Sequence, residues 1–133
     1  MYLSVGLGCD RGAALQTVQQ ALQQALAQQG LALDRIAVLA SIEAKRGELA
    51  FWQLSAQLRR PLRLFSAKQL AAVAVPNPSA MVLKHMGTPS VSEAAALLAA
   101  GAGVQALLVE KHRWRGADGR HATVSIARMN LDE

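Results

Sequence analysis

A chain of 133 residues, 52% hydrophobic and 17% charged, carries enough apolar material for one buried core without disulfide or metal staples, which excludes a disordered class. Aromatic residues make up only 4%, so the core must be built mainly from Leu, Val and Ala. The excess of 14 Lys and Arg over 9 Asp and Glu gives a formal charge of +5, which favours nucleic acid, an anionic membrane surface or a small polycarboxylate as partner.

The first predicted element is a largely apolar strand, Tyr2 to Leu7, of the kind buried in an α/β sheet. It runs into the glycine-rich turn "GLGCDRG". An amphipathic helix follows, with Leu15, Val18, Leu22, Ala25 and Leu26 on one face. Gln16, Gln19, Gln20, Gln23, Gln24 and Gln28 fill the other face, and Gly30 stops the helix. A second strand is expected from Arg35 to about Ser41, and a helix through Leu49, Trp52, Leu54 and Leu58 ends before Pro61.

"LRLF" reads as a short third strand. Ser66 and Gln69 after it have the spacing of a capping box. Pro76 to Ser79 is a loop, because residues before proline avoid the helical region. Ser79 caps a short helix through Met81, Val82 and His85, closed by Gly87. "SVSE", Ser90 to Glu93, is a second capping box that opens an alanine-rich helix to Ala100. Two β-type runs, "VQALLVEK" and "HATVSIARM", are joined by the hairpin signature "WRGADG".

The order β-α-β-α-β-α-α-α-β-β predicts one three-layer α/β/α domain over residues 1–133. Its five-stranded sheet is mixed and mainly parallel, and ends in a β-hairpin. No basic segment precedes an apolar start. The longest apolar run, Ala94 to Val104, is eleven residues with two glycines, too short to span a bilayer. The single cysteine fits a reducing compartment. A cytoplasmic protein without membrane attachment is expected.

In open α/β sheets ligands bind beyond the carboxyl ends of strands, where loops enter helices. The turn at Gly6–Gly12, the segment Ser41–Glu48, Ser66, Ser79 and Ser90–Glu93 all fall at such junctions, where free N–H groups attract anions. The spacing of Gly6, Gly8 and Gly12 puts the third glycine one place late for a dinucleotide fingerprint, and Asp34 falls before the second strand. A tight turn packed against a helix accounts for these glycines, and a nucleotide-binding module is the weaker reading. Cys9 lies at a helix start near Arg11 but has no histidine nearby in sequence to act as base, so a small inert residue is the simpler reading.

"SIEAKRGE" offers two readings. One is a solvated loop whose Glu48 complements a helix dipole, favoured by composition; the other sets Lys45 as a cation beside Glu48 as a base. Glu93 is likewise explained by capping. The arginines around Trp114 fit a charged hairpin tip better than a nucleic-acid surface, since aromatic interleaving is missing. The three histidines and the cysteine show no metal-ligand spacing, so no structural metal or cofactor is expected.

Taken together, these stretches resemble the cobalamin-biosynthesis family of CobE and the CbiG C-terminal domain. "GLGCDRG" is similar to its Gly-x-Gly-Cys-Arg-Arg-Gly turn and "SIEAKRGE" to its Ser-x-Asp-x-Lys-x-x-Glu segment. "PNPS" with "SVSEAAAL" resembles its Pro-Ser loop and helix start, and Lys111 matches the lysine ending its penultimate strand. Asp10 and Glu43 depart from the pattern, standing where arginine and aspartate are usual.

The resemblance implies a part in making the corrin ring, with a precorrin-type tetrapyrrole polycarboxylate as ligand and other enzymes of that pathway as partners. Arg11, Lys45 and Lys111 would pair with carboxylates, while Ser41, Ser66, Ser79 and Ser90 would supply hydrogen bonds and caps, and amides around Gly8 and Gly12 would complete the cradle. The family's CbiG branch implies an alternative, opening of a precorrin δ-lactone, with Lys45, Glu48 and Glu93 as catalytic candidates. The stand-alone length resembles the form found with the oxygen-dependent route, in an accessory role. A homodimer is within the range of such small domains, though no surface in the sequence marks the interface.

Overall fold

The apolar runs marked as strands assemble into one sheet in a computed structural model that describes residues 1–130. In chain order the elements are β1 (Leu3–Cys9), α1 (Leu15–Gln28), β2 (Ile36–Ile42), α2 (Leu49–Leu58), β3 (Leu62–Phe65), α3 (Ala67–Ala71), α4 (Ala80–Met86), α5 (Val91–Ala100), β4 (Leu107–Arg115) and β5 (His121–Arg128). The expected element order holds throughout. Short 3₁₀ turns at Leu33–Arg35, Glu43–Lys45 and Val104–Ala106 are additions.

The sheet runs β3-β2-β1-β5-β4. β1, β2 and β3 are parallel, β5 is antiparallel to β1, and β4 pairs antiparallel with β5 as a hairpin. β4 therefore points the same way as β1. The outer strands are irregular or short: β3 has four residues, and the β4–β5 register shifts twice between Leu107 and His112.

Two layers of helices cover the sheet. α1 and α2 close one face over Leu3, Val5, Leu7, Leu39, Phe51, Val124 and Ile126. α5 lies across β1, β2 and β5 on the other face, with Val38, Ala40, Ile42, Phe65 and Leu70 beneath its alanines. Those alanines let α5 approach the sheet closely. A Cβ on Gly6 would overlap the carbonyl oxygen of Ser92 and come within 2.8 Å of the Ala96 nitrogen. The glycine there is a packing requirement, since helix and strand backbones nearly touch.

Local turn chemistry explains most boundaries. Ser66 and Gln69 form the full reciprocal capping box. The Ser79 hydroxyl accepts from the Val82 N–H, and Gly87 closes α4 with φ 76°. The second expected box does not form. Ser90 makes no side-chain cap bond, and the Glu93 carboxylate turns away from the Ser90 N–H to partners on a loop and on β4.

The glutamine face of α1 is not a bare polar surface. Rather than meeting only solvent, Gln20 accepts from the Trp114 indole at 3.0 Å, and Gln24 and Gln28 bracket the His112 ring at 2.7 and 2.8 Å. The hairpin reaches far enough over α1 for these amides to bind it. Partial desolvation holds His112 below its ordinary pKa, so the ring is neutral near pH 7.

Candidate functional site

The carboxyl ends of β1 and β2 lie side by side, so the loops that follow them share one crest. The β1 loop carries Asp10, Arg11 and Gly12, and the β2 loop carries Glu43 to Glu48. The expected solvated loop is not what forms around Lys45 and Glu48: they are 8% and 7% exposed and lie 3.5 Å apart. The first carboxylate oxygen of Glu48 accepts the Gly12 N–H at 3.0 Å. Gly12 adopts φ 74°, a conformation that favours glycine, and so aims its amide across the gap. A carboxylate thus sits on the glycine turn, and it belongs to the protein itself.

Cys9 points into the same cluster. Burial first, and then the nearby Glu48 carboxylate, push the thiol up to about 12, against an opposing pull from Lys45. The thiol therefore stays protonated at physiological pH. Asp10 closes the turn from the other side, accepting from the His121 N–H at 2.7 Å and standing 3.0 Å from its ring. Slight burial opposes this carboxylate, but the His121 bonds outweigh it and hold Asp10 below the usual range. Asp10 thereby clasps the turn to β5.

Beyond β1 and β2 opens a cleft of about 420 Å³, lined by Arg11–Leu15 and by Gly47, Glu48, Leu49, Ala50 and Gln53. A larger hollow of about 580 Å³ lies at the opposite end, where Ile36 starts β2, and none of the candidate ligand-binding residues lines it. In an α/β sheet the carboxyl end is the place for a ligand.

A second group gathers at the start of α5. Glu93 is 0% exposed and accepts three bonds: the Asn77 N–H at 3.1 Å, the Asn77 side-chain amide at 2.7 Å and the Lys111 N–H at 3.1 Å. The Lys111 ammonium donates to the Asn77 carbonyl at 2.9 Å, and Asn77 also donates to Glu110. The Pro76–Ser79 loop is thereby tied to β4. The Ser90 and Thr88 hydroxyls are buried with no partner among the described residues.

The remaining candidates are spread apart. Gly6 is covered by α5, while Gly8, opposite Thr123, is partly open. The buried Ser41 hydroxyl donates to the Leu7 carbonyl at 2.7 Å, so it ties β2 to β1. Ser66 and Ser79 are occupied as caps of their own helices. Hence the structure joins Cys9, Arg11, Gly12, Lys45 and Glu48 in one cluster and Ser90, Glu93 and Lys111 in another.

Sequence reasoning missed three participants. Asn77 is the hub of the α5 cluster. Thr88 adds an orphan hydroxyl. Asp118, at the hairpin tip, accepts the Ala14 N–H and the Thr17 hydroxyl, both at 2.8 Å, and so caps α1 from a distant part of the chain. The tip is a structural clamp, and its one available signal was the absence of a capping side chain at Ala14. Among the described residues no group of three His, Cys, Asp or Glu is arranged to hold a metal ion, and no helix is long and apolar enough to cross a membrane.

Residues 3–127 match the family described as "Cobalamin synthesis G C-terminus". The chain is 32% identical over 127 residues to Protein CobE from Sinorhizobium sp, covering 94% of this chain and 79% of that one. It is 26% identical over 130 residues to the cobalt-precorrin-5A hydrolase of Priestia megaterium, covering 98% of this chain but 33% of that protein. It therefore spans about a third of the length of the hydrolase. A crystal structure of CobE, a protein from the cobalamin (vitamin B12) biosynthetic pathway, superposes with a TM-score of 0.79 at 32% identity, covering 99% of this chain and 93% of that one. The fold and the crest of motif residues define a cobalamin-biosynthesis α/β domain, and the chain belongs to the Cobalamin synthesis G C-terminus family.

Proposed function

We propose that this chain binds and handles a precorrin-type tetrapyrrole polycarboxylate, in an accessory role in the oxygen-dependent route. The observation that carries this reading is the cleft at the carboxyl ends of β1 and β2, with the exposed Arg11 on its wall. The cluster behind it already holds one carboxylate on a backbone amide, which is the chemistry a carboxylate arm of the ligand would need. Lys111 would serve a further arm, released from Asn77. Each charge-assisted contact contributes roughly 1.5–3 kcal/mol.

Binding is favoured over lactone hydrolysis by the state of the two candidate bases. Glu48 is engaged by Lys45 and Gly12, and Glu93 by three N–H donors with no exposed surface. A general base needs reach to its water and a lone pair free to take the proton. The hydrolase reading nevertheless has support in the name of the Priestia relative, and the same experiment separates the two. Visible-absorbance titration with a cobalt-free corrin polycarboxylate, followed by mass spectrometry of the recovered ligand, is expected to give a saturable shift with unchanged mass. A changed mass would establish catalysis; no shift would overturn the ligand assignment.

A further inference from the structure

α2 begins at the crest, and its first turns turn an apolar side outward. Leu49 is 67% exposed and Trp52 is 43% exposed. The two are three residues apart on a helix, so they are neighbours on one surface. Trp52 is not loose. Its indole N–H donates to the Arg46 carbonyl at 2.8 Å, which fixes the ring over the turn that precedes α2. Leu49 also lines the 420 Å³ cleft, so the apolar shelf and the cleft are continuous.

Two exposed cations stand at the margin of this shelf. Arg11 and Arg46 are exposed, and neither guanidinium has a hydrogen-bond or ion-pair partner among the described residues. The acidic group between them, Glu48, is already paired with Lys45 and bonded to Gly12. An apolar platform with two free cations at its margin is complementary to a flat ligand carrying carboxylates around its rim. A cleft of about 420 Å³ lies near the lower end of the roughly 300–1,000 Å³ found for drug-sized ligands. It can seat an edge of a macrocycle and an arm, but not enclose one.

We propose that Leu49 and Trp52 form the platform on which the face of a macrocyclic polycarboxylate rests, with one arm in the cleft at Arg11 and another reaching Arg46. This inference rests on the tetrapyrrole reading above and specifies where and how the ring is held. It assigns the ring face to α2.

The test is a titration of the isotope-labelled full chain with uroporphyrin, a planar porphyrin polycarboxylate whose ring current shifts nearby resonances. The Leu49 methyls and the Trp52 indole N–H are expected to move, while the indole of Trp114, bonded to Gln20, stays in place. Leu49→Asp, at an exposed site that does not threaten folding, and Arg11→Ala should each weaken binding by about tenfold or more, whereas Leu49→Met should retain it. Saturable binding with unmoved Leu49 and Trp52, and with Leu49→Asp unaffected, would overturn the platform while leaving the proposed function intact. Absence of saturable binding would overturn both. Shifts of Leu49 and Trp52 that depend on protein concentration alone would show that a second copy covers the shelf, and would also overturn the proposal.

Discussion

Asp118 caps a helix that starts about a hundred residues earlier: one carboxylate oxygen accepts the Ala14 N–H and the other the Thr17 hydroxyl, each at 2.8 Å. The hairpin can lie this close because residue 116 is glycine, where any Cβ would collide with the Thr17 side chain. The first turn of α1 is therefore completed by the last hairpin of the chain.

This contact predicts a pH-dependent cap. Asp118 is held below the usual carboxylate range, chiefly by the Ala14 N–H, against an opposing effect of desolvation and with smaller help from Thr17 and Arg120. A carboxyl whose folded pKa is lowered stabilises the fold above its unfolded pKa, about 3.9, and loses that contribution as pH falls through the folded value. Asp118→Asn should lower the Tm by about a few degrees near neutral pH, with the gap to the parent protein narrowing as pH falls below the ordinary carboxylate range. Melting curves across that range check it, and a gap that persists in acid would refute the charged cap.

The two glycines on the α5 face of β1 should respond in opposite ways. Gly6→Ala forces a Cβ into the Ser92 carbonyl and should cost about 3 kcal/mol or more, because helix and strand must separate. At Gly8 a Cβ meets only the Thr123 Cβ, at 3.7 Å, so Gly8→Ala should stay within about 1 kcal/mol. Urea unfolding of both variants decides the matter.

Lys45 and Glu48 form a buried pair, and removing one member leaves the other uncompensated. Lys45→Met should destabilise by about 3 kcal/mol, while Lys45→Met combined with Glu48→Gln should recover more than half of that loss. The glutamine keeps an oxygen for the Gly12 N–H. A double variant no better than the single one would show that the charges are not coupled.

Cys9 should be unreactive in the folded chain. With its pKa raised to about 12 by burial and by Glu48, the thiolate fraction near pH 8 is about a thousandfold below that of a free cysteine. Iodoacetamide should modify it slowly under native conditions and quickly in denaturant. Rapid native modification would place the thiol outside the Glu48 cluster.

The element order was legible because it is written locally. The period of Leu15 to Leu26, the Ser66–Gln69 box and the Ser79–Gly87 bracket each depend on residues within one or two turns. The capping-box reading of Ser90 and Glu93 failed for the complementary reason. A local pattern competed with a tertiary one, and three N–H donors from Asn77 and Lys111 hold the carboxylate better than one cap amide would. The motif residues of the first two loops lie along one edge of the sheet. The division of the candidate residues into two clusters, and the filling of the Gly12 amide by Glu48, depend on contacts between residues 36 positions apart that no spacing rule contains.

The irregular margins of the sheet bear on how the protein behaves when crowded. A straight, unpaired edge strand is a template on which further chains can add, the first step towards fibrils. Here one margin is only four residues long, and the other is broken by two register shifts and studded with Glu110, Lys111, Arg113 and Arg115. Neither offers an incoming strand a continuous ladder. The domain should therefore tolerate high concentration without seeding β-aggregates, and any association between copies should run through helix faces and dissociate on dilution.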